Sequence, residues 1–297
     1  MKIFYLCNPA SHGGKGAKFF NLILNHFEKK NIILDSVQTK YAGHATEIIR
    51  ELDFTKYDGI ALSGGDGTLF EVINGYFANT SVKKIPIGVI PVGRGNAFAR
   101  DINLFPEKWE NAVDAIAYRK TKWVDVGLCK TLDEKFYFIN ILGFGFVTDV
   151  AKTAFNLRVL GHLSYIIGVL YRTIFLKFYN LKIEADGKIF NRQNVFTEIS
   201  NTCYTGKDFF MAPAAVIDDG YLDITLLNKL SRIKILQALP KIFTGDHVKM
   251  NEVESFKAKK IKIETEKPKL LTPDGQLTGS TPIEIECINN AIEVFVY

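Results

Sequence analysis

The chain has 297 residues, of which 47% are hydrophobic and 23% are charged. These values are typical of a soluble globular protein with a sizeable core, and at roughly 150 residues per domain the length favours two domains. The 37 Lys and Arg residues exceed the 32 Asp and Glu residues by a net charge of +5. That excess is mild for a protein that coats nucleic acid, so no nucleic-acid partner is expected. The composition excludes a disordered chain, a collagen and a disulfide scaffold.

The cysteines and the apolar segments indicate a cytoplasmic protein. None of the 4 cysteines forms a C-x-x-C pair, so neither a zinc site nor a disulfide framework is expected. The apolar run Ile3–Cys7 is too short for a signal peptide. The most apolar later stretch, 159–171, has 13 residues, fewer than the roughly 18 that span a bilayer. We therefore expect a cytoplasmic protein that at most lies peripherally on the inner face of the membrane.

Strand patterns alternate with helical patterns over the first 120 residues. Strands are predicted at 3–7, 32–39, 59–62 and 85–90, and helices at 14–30, 42–52, 68–77 and 112–118. Strands separated by helices indicate βαβ units and a parallel sheet that is covered on both faces. In such a sheet the ligand lies beyond the carboxyl ends of the strands.

After residue 120 the pattern changes to closely spaced strands. They are predicted at 122–129, 135–142, 181–185, 188–200, 221–227, 255–264, 281–287 and 291–296. Asp186-Gly187 predicts a hairpin turn, as does Asn289-Asn290. Residues 151–180 predict a helical insertion with a break near Gly161. We therefore expect an α/β domain over residues 1–122 and a mostly antiparallel β domain over 123–297, whose last strands could return to the first domain.

The strongest local motif is Ser63-Gly64-Gly65-Asp66-Gly67-Thr68, which follows a buried strand and opens a helix. Its glycines allow the backbone to approach a ligand closely, and the N–H groups at a helix N-terminus attract anions. Because a bare carboxylate would repel phosphate, Asp66 is a candidate to hold Mg²⁺ or to accept a proton from an attacking hydroxyl. The alternative is a tight turn with Asp66 as the helix N-cap.

Two further glycine-rich loops follow predicted strands. Residues 8–16 contain Lys15, and residues 91–99 contain Arg94. Three such loops at one sheet edge, two of them with a cation, predict a site for nucleotide phosphates.

Two common nucleotide motifs are excluded. No Gly-Lys pair is followed by Ser or Thr, so the chain has no Walker A loop. Neither Gly93-x-Gly95 nor Gly143-x-Gly145 has a third glycine three residues later, which excludes a dinucleotide fingerprint.

Several motifs follow one another in a definite order along the chain. They are Asn8-Pro9; Gly64-Gly65-Asp66-Gly67-Thr68 with Glu71 and Asn74; Gly93-x-Gly95-Asn96-x-Phe98-Ala99-Arg100; Val124-Asp125-Val126-Gly127; Asp218-Asp219-Gly220-Tyr221-Leu222-Asp223; and Asp274-Gly275. The set resembles the diacylglycerol kinase catalytic superfamily, the bacterial lipid kinases related to sphingosine and ceramide kinases. NAD kinases and phosphofructokinases share G-G-D-G-T, so the resemblance depends on the ordered set.

The resemblance implies an α/β nucleotide-binding domain like that of NAD kinase and phosphofructokinase, then a β-sandwich-like lipid-substrate domain with a helical insertion. It implies Mg²⁺-dependent transfer of the ATP γ-phosphate to a lipid hydroxyl, with a diacylglycerol-like acceptor. By matching motifs, the ATP contacts would be Asn8, Thr39, Gly64, Gly65, Asp66, Gly67, Thr68, Glu71, Gly93, Arg94, Gly95 and Asn96. Asp66 would be catalytic. A structural Mg²⁺ would be held by the Asp219 carboxylate and by backbone oxygens of Val216 and Tyr221; a plain turn is the alternative.

The chain departs from the family pattern near its C-terminus. Relatives carry Asp-Gly-Glu, whose Glu is assigned as a proton acceptor, whereas this chain has Asp274-Gly275-Gln276. An amide cannot accept the hydroxyl proton as a carboxylate does. Either Asp66 or Asp274 then serves as the base, or the activity is reduced.

Three other departures concern the ligands. Arg94 stands where many relatives have Thr or Ser, and its guanidinium could grip phosphate. Ala97 matches sphingosine kinases, yet Ala151 stands where those enzymes place an Asp for the sphingoid amine. The signals for the lipid substrate therefore conflict.

The predicted helical insertion carries apolar residues at helical spacing, which ordinarily indicates a helix packed on the β domain. Its basic residues Arg158, Arg172 and Lys177 would let the segment line an acyl pocket and rest on an anionic membrane. The expected partner is a lipid substrate at a membrane surface, with peripheral membrane contact, and a homodimer is left open.

Two alternative functions remain at this point. A NAD kinase-like phosphotransferase is disfavoured because the second half carries the lipid-kinase motifs. A nucleotide- or lipid-binding regulator with weakened catalysis is suggested by Gln276.

Overall fold

Parallel strands and their connecting helices form the first part of the chain, as the alternating pattern predicts. The computed structural model describes residues 1–157 and 163–297. The strands are β1 (Lys2–Cys7), β2 (Ile33–Gln38), β3 (Gly59–Gly64) and β4 (Ile87–Pro91). The helices are α1 (Ser11–Gly14), α2 (Gly16–Lys29), α3 (His44–Glu51), α4 (Asp66–Ala78), α5 (Ala97–Asp101) and α6 (Glu110–Tyr118). Every residue of β3 and β4 is buried, because helices cover both faces of a parallel sheet.

The second part is mostly antiparallel. Its strands are β5 (Thr121–Lys130), β6 (Lys135–Phe138), β7 (Ile141–Gly145), β8 (Tyr179–Ala185), β9 (Lys188–Ser200), β10 (Leu222–Asn228), β11 (Val253–Ala258), β12 (Lys260–Thr265), β13 (Leu271–Pro273) and β14 (Ile283–Phe295). Its helices are α7 (Phe146–Asn156), α8 (Leu163–Ile174) and α9 (Arg232–Thr244). Among the described residues, no helix is both long enough and apolar enough to span a membrane.

The last strand joins the two parts into a continuous sheet. Strand β14 pairs antiparallel with β5 and β12, and near its end it pairs parallel with β4 through Val294 and Ile87. The main path of the sheet is β11-β10-β9-β8-β12-β14-β4-β3-β1-β2. Ile292, Val294 and Phe295 pack into the core of the parallel part. A division of function at residue 122 stays a prediction.

Two predicted strand boundaries are wrong for an identifiable reason. The predicted strand 255–264 is two strands, β11 and β12, that change partners at Lys259. The Asp186 carboxylate accepts the N–H groups of Lys259 and Lys260, which ends the ladder there. The predicted strand 135–142 is likewise interrupted between β6 and β7, where Asp274 binds the backbone.

The predicted hairpin at Asn289-Asn290 is also wrong. Strand β14 continues through both residues, and its register with β5 shifts between Ile288 and Ile292. Asn290 has a φ of 48°, and its N–H donates to Oδ1 of Asp125 at 2.7 Å. A single Asn with positive φ can form a bulge as well as a turn, and the hydrogen bond from Asn290 to Asp125 stabilises the bulge. The hairpin at Asp186-Gly187 is confirmed between β8 and β9.

The helical insertion begins and ends earlier than its pattern predicts. It begins at Phe146, and β8 occupies its predicted end from Tyr179. The predicted break at Gly161, together with Arg158, lies outside the described residues. Helix α9 is absent from the prediction, although Ser231 accepts the Lys234 N–H as its N-cap. Pro240 within the helix weakens the sequence signal.

Candidate active site

The three glycine-rich loops lie together, as their positions after β1, β3 and β4 predict. These strands are parallel neighbours, so their carboxyl ends meet at one sheet edge. Nδ2 of Asn8 donates to Oγ1 of Thr68 at 2.8 Å, which ties the first loop to the second. Gly93 lies against Gly65 so closely that a Cβ on Gly93 would overlap the Gly65 backbone. Only glycine permits that approach of the second and third loops.

Asp66 lies at the centre of these contacts. The N-cap of α4 is Gly65, so the alternative with Asp66 as N-cap is wrong. Oδ1 of Asp66 instead accepts the N–H of Ala97 at 2.8 Å, at the start of α5. A Cβ on Gly95 would lie 2.5 Å from Oδ2 of Asp66. Burial raises the pKa of Asp66 to about 6, and the N–H donors of the third loop oppose that rise.

The third loop is held by its own asparagine and presents an arginine. Asn96, with a φ of 58°, uses its side chain to accept the Gly93 N–H at 3.0 Å and to donate to the Gly93 carbonyl at 2.8 Å. Its amide therefore shapes the loop and is already bonded within it. Arg94 is exposed, and a Cβ on Gly13 would lie 3.0 Å from its guanidinium. A cation thus faces the first loop across the cleft.

Glu71 and Thr39 border the same edge. The Glu71 carboxylate accepts the Gly43 N–H at 2.9 Å and the Ala45 N–H at 3.1 Å, at the start of α3. Its charge therefore stabilises that helix N-terminus. The Thr39 N–H donates to the Cys7 carbonyl at 2.9 Å, which holds the Thr39 backbone beside the end of β1, where the first loop begins.

Asp274 is buried and fully engaged with the backbone. Its Oδ1 accepts the N–H groups of Asn140 at 2.9 Å and Ile141 at 3.0 Å, and its Oδ2 accepts that of Ile139 at 3.0 Å. It is 5% exposed. Burial raises its pKa to about 7, and the nearby Asp66 charge adds to the rise. The electrostatic coupling places Asp274 near Asp66, but its oxygens hold the loop between β6 and β7.

Gln276 reaches the G-G-D-G-T turn from the C-terminal part of the chain. Its side-chain amide nitrogen lies against Gly67, where a Cβ would overlap it. The Gln276 N–H donates to the Pro273 carbonyl at 2.7 Å, and its side chain is exposed. The tertiary structure therefore brings the predicted catalytic residues Asp66, Asp274 and Gln276 to one place.

The Asp219 carboxylate, at the predicted structural metal site, already has protein partners. Oδ1 of Asp219 accepts the Tyr221 N–H at 3.0 Å, and Oδ2 lies 2.6 Å from Nζ of Lys257. That ammonium also lies 3.4 Å from Asp223. Within the described ranges, no cluster of three or more His, Cys, Asp or Glu is arranged to hold a metal. Both carboxylate oxygens of Asp219 have protein partners in this arrangement, and a cation held by Asp219 with backbone oxygens of Val216 and Tyr221 stays a prediction.

Sequence reasoning missed a loop of the β domain that borders the site. The Arg100 guanidinium lies 3.9 Å from the Tyr204 ring centroid and donates to the Lys207 carbonyl at 2.6 Å. Gly206 of this loop lies 3.5 Å from the Cβ position of Gly95. Arg100 was the sequence signal that could have pointed to this loop, because it ends the third loop motif and had no assigned role.

The arrangement is suited to bind phosphates and to receive a proton. Loop N–H groups and the exposed cations Lys15 and Arg94 attract an anion. Beside them lies the carboxyl of Asp66, whose pKa burial raises to about 6, in the range of a general base.

Comparisons with known proteins agree with this geometry. Residues 2–129 match the family "Diacylglycerol kinase catalytic domain", and residues 140–296 match "YegS C-terminal NAD kinase beta sandwich-like domain". A crystal structure of a diacylglycerol kinase from Bacillus anthracis superposes with a TM-score of 0.75 at 24% identity, covering 100% of this chain and 97% of that one. A second structure from that organism has a TM-score of 0.83 at 27% identity, covering 100% and 95%.

Curated relatives span almost the whole chain. It is 28% identical to a diacylglycerol kinase of Bacillus subtilis, over 97% of this chain and 93% of that protein. It is 30% identical to a diacylglycerol kinase of Staphylococcus epidermidis, over 97% and 90%. It is 26% identical to sphingosine kinase 1 of Arabidopsis thaliana, over 98% and 71%. The chain therefore belongs to the diacylglycerol kinase catalytic superfamily and is a lipid kinase of that family.

Proposed function

We propose that this lipid kinase transfers the γ-phosphate of ATP to the hydroxyl of a diacylglycerol-like acceptor in a Mg²⁺-dependent reaction. The observation that carries the proposal is the position of Asp66, whose carboxyl lies where the three loops meet. The names of the bacterial relatives make diacylglycerol the reference acceptor.

Each loop has a part in this proposal. Phosphoryl transfer depends mainly on positioning and on charge stabilisation. Loop N–H groups, Lys15 and Arg94 bind the phosphates, and Mg²⁺ carried with ATP adds positive charge there. Asp66 accepts the hydroxyl proton of the lipid through Oδ2. Asp274 positions the loop between β6 and β7, because all its hydrogen bonds are with that backbone.

The test is phosphorylation of lipids by the purified protein. Labelled ATP and Mg²⁺ are incubated with diacylglycerol, phosphatidylglycerol, a long-chain amino alcohol and a polyprenol, with NAD as a non-lipid acceptor. We expect label in a lipid, and no label with EDTA in excess over Mg²⁺. Label in NAD alone would overturn the lipid acceptor.

We propose that residues 1–122 bind ATP and residues 123–297 bind the lipid at a membrane surface. Helices α8 and α9 pack against each other and expose large apolar side chains. These include Leu170, Ile174, Phe175, Ile233, Leu236 and Phe243. Arg172, Lys177, Arg232 and Lys241 lie on the same two helices or just after them. Apolar side chains beside basic ones fit the interface of an anionic bilayer.

Vesicle flotation tests this membrane contact. The protein should float with vesicles that contain phosphatidylglycerol and less with pure phosphatidylcholine, and Ile174→Glu should reduce flotation. Leu132→Glu is the matched control, because Leu132 is exposed on the β5–β6 turn, away from α8 and α9. Equal flotation of both variants would contradict the proposed surface.

A second candidate is a regulator that binds nucleotide or lipid with weakened turnover. The observation that favours it is the Gln276 amide beside Gly67, where relatives carry a carboxylate. Calorimetric binding of ATP without phosphorylation of any lipid in the panel would support the regulator. Robust turnover by the wild-type protein would exclude it.

A further inference from the structure

Glu198 is a buried carboxyl that the proposed phosphoryl transfer does not use. It lies in β9, whose residues 194–200 are all buried, and it is 2% exposed. Oε1 of Glu198 accepts the Thr205 hydroxyl at 2.6 Å. Across the described residues, no cation and no second donor contacts this carboxyl. Its other oxygen is therefore available to a ligand.

The surroundings of Glu198 are apolar. It lines a cleft between β9, α8 and α9, with Phe196, Val169 and Ile242 on the walls. His247 also lines the cleft, but burial lowers its pKa, and its Nε2 lies 3.0 Å from the Met211 carbonyl. A neutral imidazole provides no positive charge for Glu198. Burial raises the pKa of Glu198 to about 7.

Burial in such a cleft disfavours the carboxylate, because only the Thr205 hydroxyl replaces its lost hydration, and below a pH of about 7 the neutral acid is the main form. The neutral acid avoids that cost and carries an O–H donor. With Thr205 donating to Oε1, the O–H of the other oxygen is directed to a further partner. No described side chain accepts this O–H, and Nδ1 of His247 in the same cleft also lacks a partner, so polar atoms of a ligand can bind here.

Thr205 connects the cleft in sequence to the turn that borders the proposed reaction site. Thr205 precedes Gly206, which lies 3.5 Å from the Cβ position of Gly95, and the same position lies 2.5 Å from Oδ2 of Asp66. Arg100 fixes this turn through the Lys207 carbonyl. The hydrogen-bond partner of Glu198, Thr205, is therefore the residue before the glycine that lies beside the third loop.

We infer that Glu198, as a neutral acid, donates a hydrogen bond to an ester carbonyl of the lipid acceptor. This inference rests on the proposed function and gives Glu198 a role in substrate specificity. In a 1,2-diacylglycerol one ester is on the carbon next to the one that bears the free hydroxyl, and the second ester is one carbon further away. Such binding requires that Glu198 contacts one of these carbonyls while the hydroxyl lies at Asp66. A long-chain amino alcohol would present an ammonium, which pairs with a carboxylate rather than with a neutral acid.

The experiment compares two acceptors that differ only in the carbonyl. Dioctanoylglycerol and the corresponding dioctyl ether are phosphorylated in parallel, and the ratio of kcat/KM is measured. We expect the wild-type protein to prefer the ester by roughly 3- to 10-fold, the effect of one neutral hydrogen bond. Glu198→Gln keeps an N–H donor and should keep the preference, whereas Glu198→Leu should lose it. Glu264→Gln, at an exposed position of β12, is the matched control.

Two results would overturn the role of Glu198. One is an unchanged ester preference in Glu198→Leu. The other is a wild-type preference for a long-chain amino alcohol that Glu198→Gln abolishes, because that result requires a charged carboxylate.

A binding measurement separates this inference from the proposed function. The rise in melting temperature with dioctanoylglycerol and with the ether needs no turnover. If the wild-type protein phosphorylates neither lipid, the proposed function fails. The rises in melting temperature still show whether Glu198 recognises the ester. A larger shift with the ester that Glu198→Leu removes supports the inference, and equal shifts contradict it.

Discussion

Oδ1 of Asp66 accepts the N–H of Ala97 at 2.8 Å, and this hydrogen bond joins the second glycine-rich loop to the third. The carboxyl is thereby held at a fixed place relative to Arg94 and Gly95. Ala97 engages Oδ1, and Oδ2 lies 2.5 Å from the Cβ position of Gly95.

Asp66→Asn should remove activity and preserve the fold. The amide oxygen can still accept the Ala97 N–H, but the side chain cannot take up a proton. We expect turnover to fall by about 10²- to 10⁴-fold, the usual contribution of a general base. Lipid phosphorylation measures the loss, and Asp133→Asn at an exposed turn is the control. Full activity of Asp66→Asn would exclude Asp66 as the base.

The pH profile should follow the same carboxyl. Burial raises the pKa of Asp66 to about 6, and only the ionised form accepts a proton. We therefore expect kcat/KM to fall as the pH drops through about 6. A profile that is flat from pH 5 to 8 would contradict this assignment.

Gln276→Glu should raise turnover. A carboxylate beside Gly67 would provide a second proton acceptor near Asp66, as in the relatives. We expect kcat to rise by about tenfold or more, with a smaller change in KM, measured on the best acceptor of the panel. Gln276→Ala is the companion variant, because it removes the amide without adding charge. A lower kcat in Gln276→Glu would show that the amide itself is needed.

Asp274→Ala should destabilise the protein. It leaves three buried N–H groups without their acceptor, and we expect a loss of about 3 kcal/mol in the free energy of unfolding. Denaturant unfolding measures the loss. Asp274→Asn, which keeps one acceptor oxygen, should lie between the wild-type protein and Asp274→Ala.

The pH dependence of that stability has a definite sign. Burial raises the pKa of Asp274 from 3.8 to about 7 in the folded protein. The favourable contribution of the neutral acid is therefore complete below pH 3.8 and is lost as the pH rises through about 7. Relative to Asp274→Asn, the wild-type melting temperature should fall over this range. A constant difference would mean that the folded pKa is not raised.

Arg94→Ala should weaken ATP binding. The guanidinium faces the first loop, where the phosphates are proposed to lie. Loss of a charged hydrogen bond should raise the KM for ATP by roughly tenfold, and the effect should shrink at high salt. Arg50→Ala, in an exposed pair with Glu51, is the control. Equal KM values for the two variants would place the phosphates elsewhere.

Local patterns in the sequence were sufficient for the parallel part and for the three loops. The hydrophobic period and the spacing of glycines specify strands that alternate with helices. Because the strands are parallel, their carboxyl ends lie at one edge of the sheet. Asp66, Gly93 and Arg94 therefore came together as expected. The ordered motifs also predicted the family.

Only the tertiary structure decided which groups are already engaged. Asp274 was an open candidate for the base until its three backbone donors were seen, and the sequence did not show that Lys257 lies beside Asp219. Glu198 was one acidic residue within a predicted strand, and its apolar cleft depends on α9, a helix that its sequence pattern did not predict. The groups beside these carboxyls, namely the backbone donors of Asp274, the ammonium of Lys257 and helix α9, come from distant parts of the chain. The sequence by itself determined the elements and the loop chemistry, whereas long-range packing determined which polar atoms remain available for a ligand.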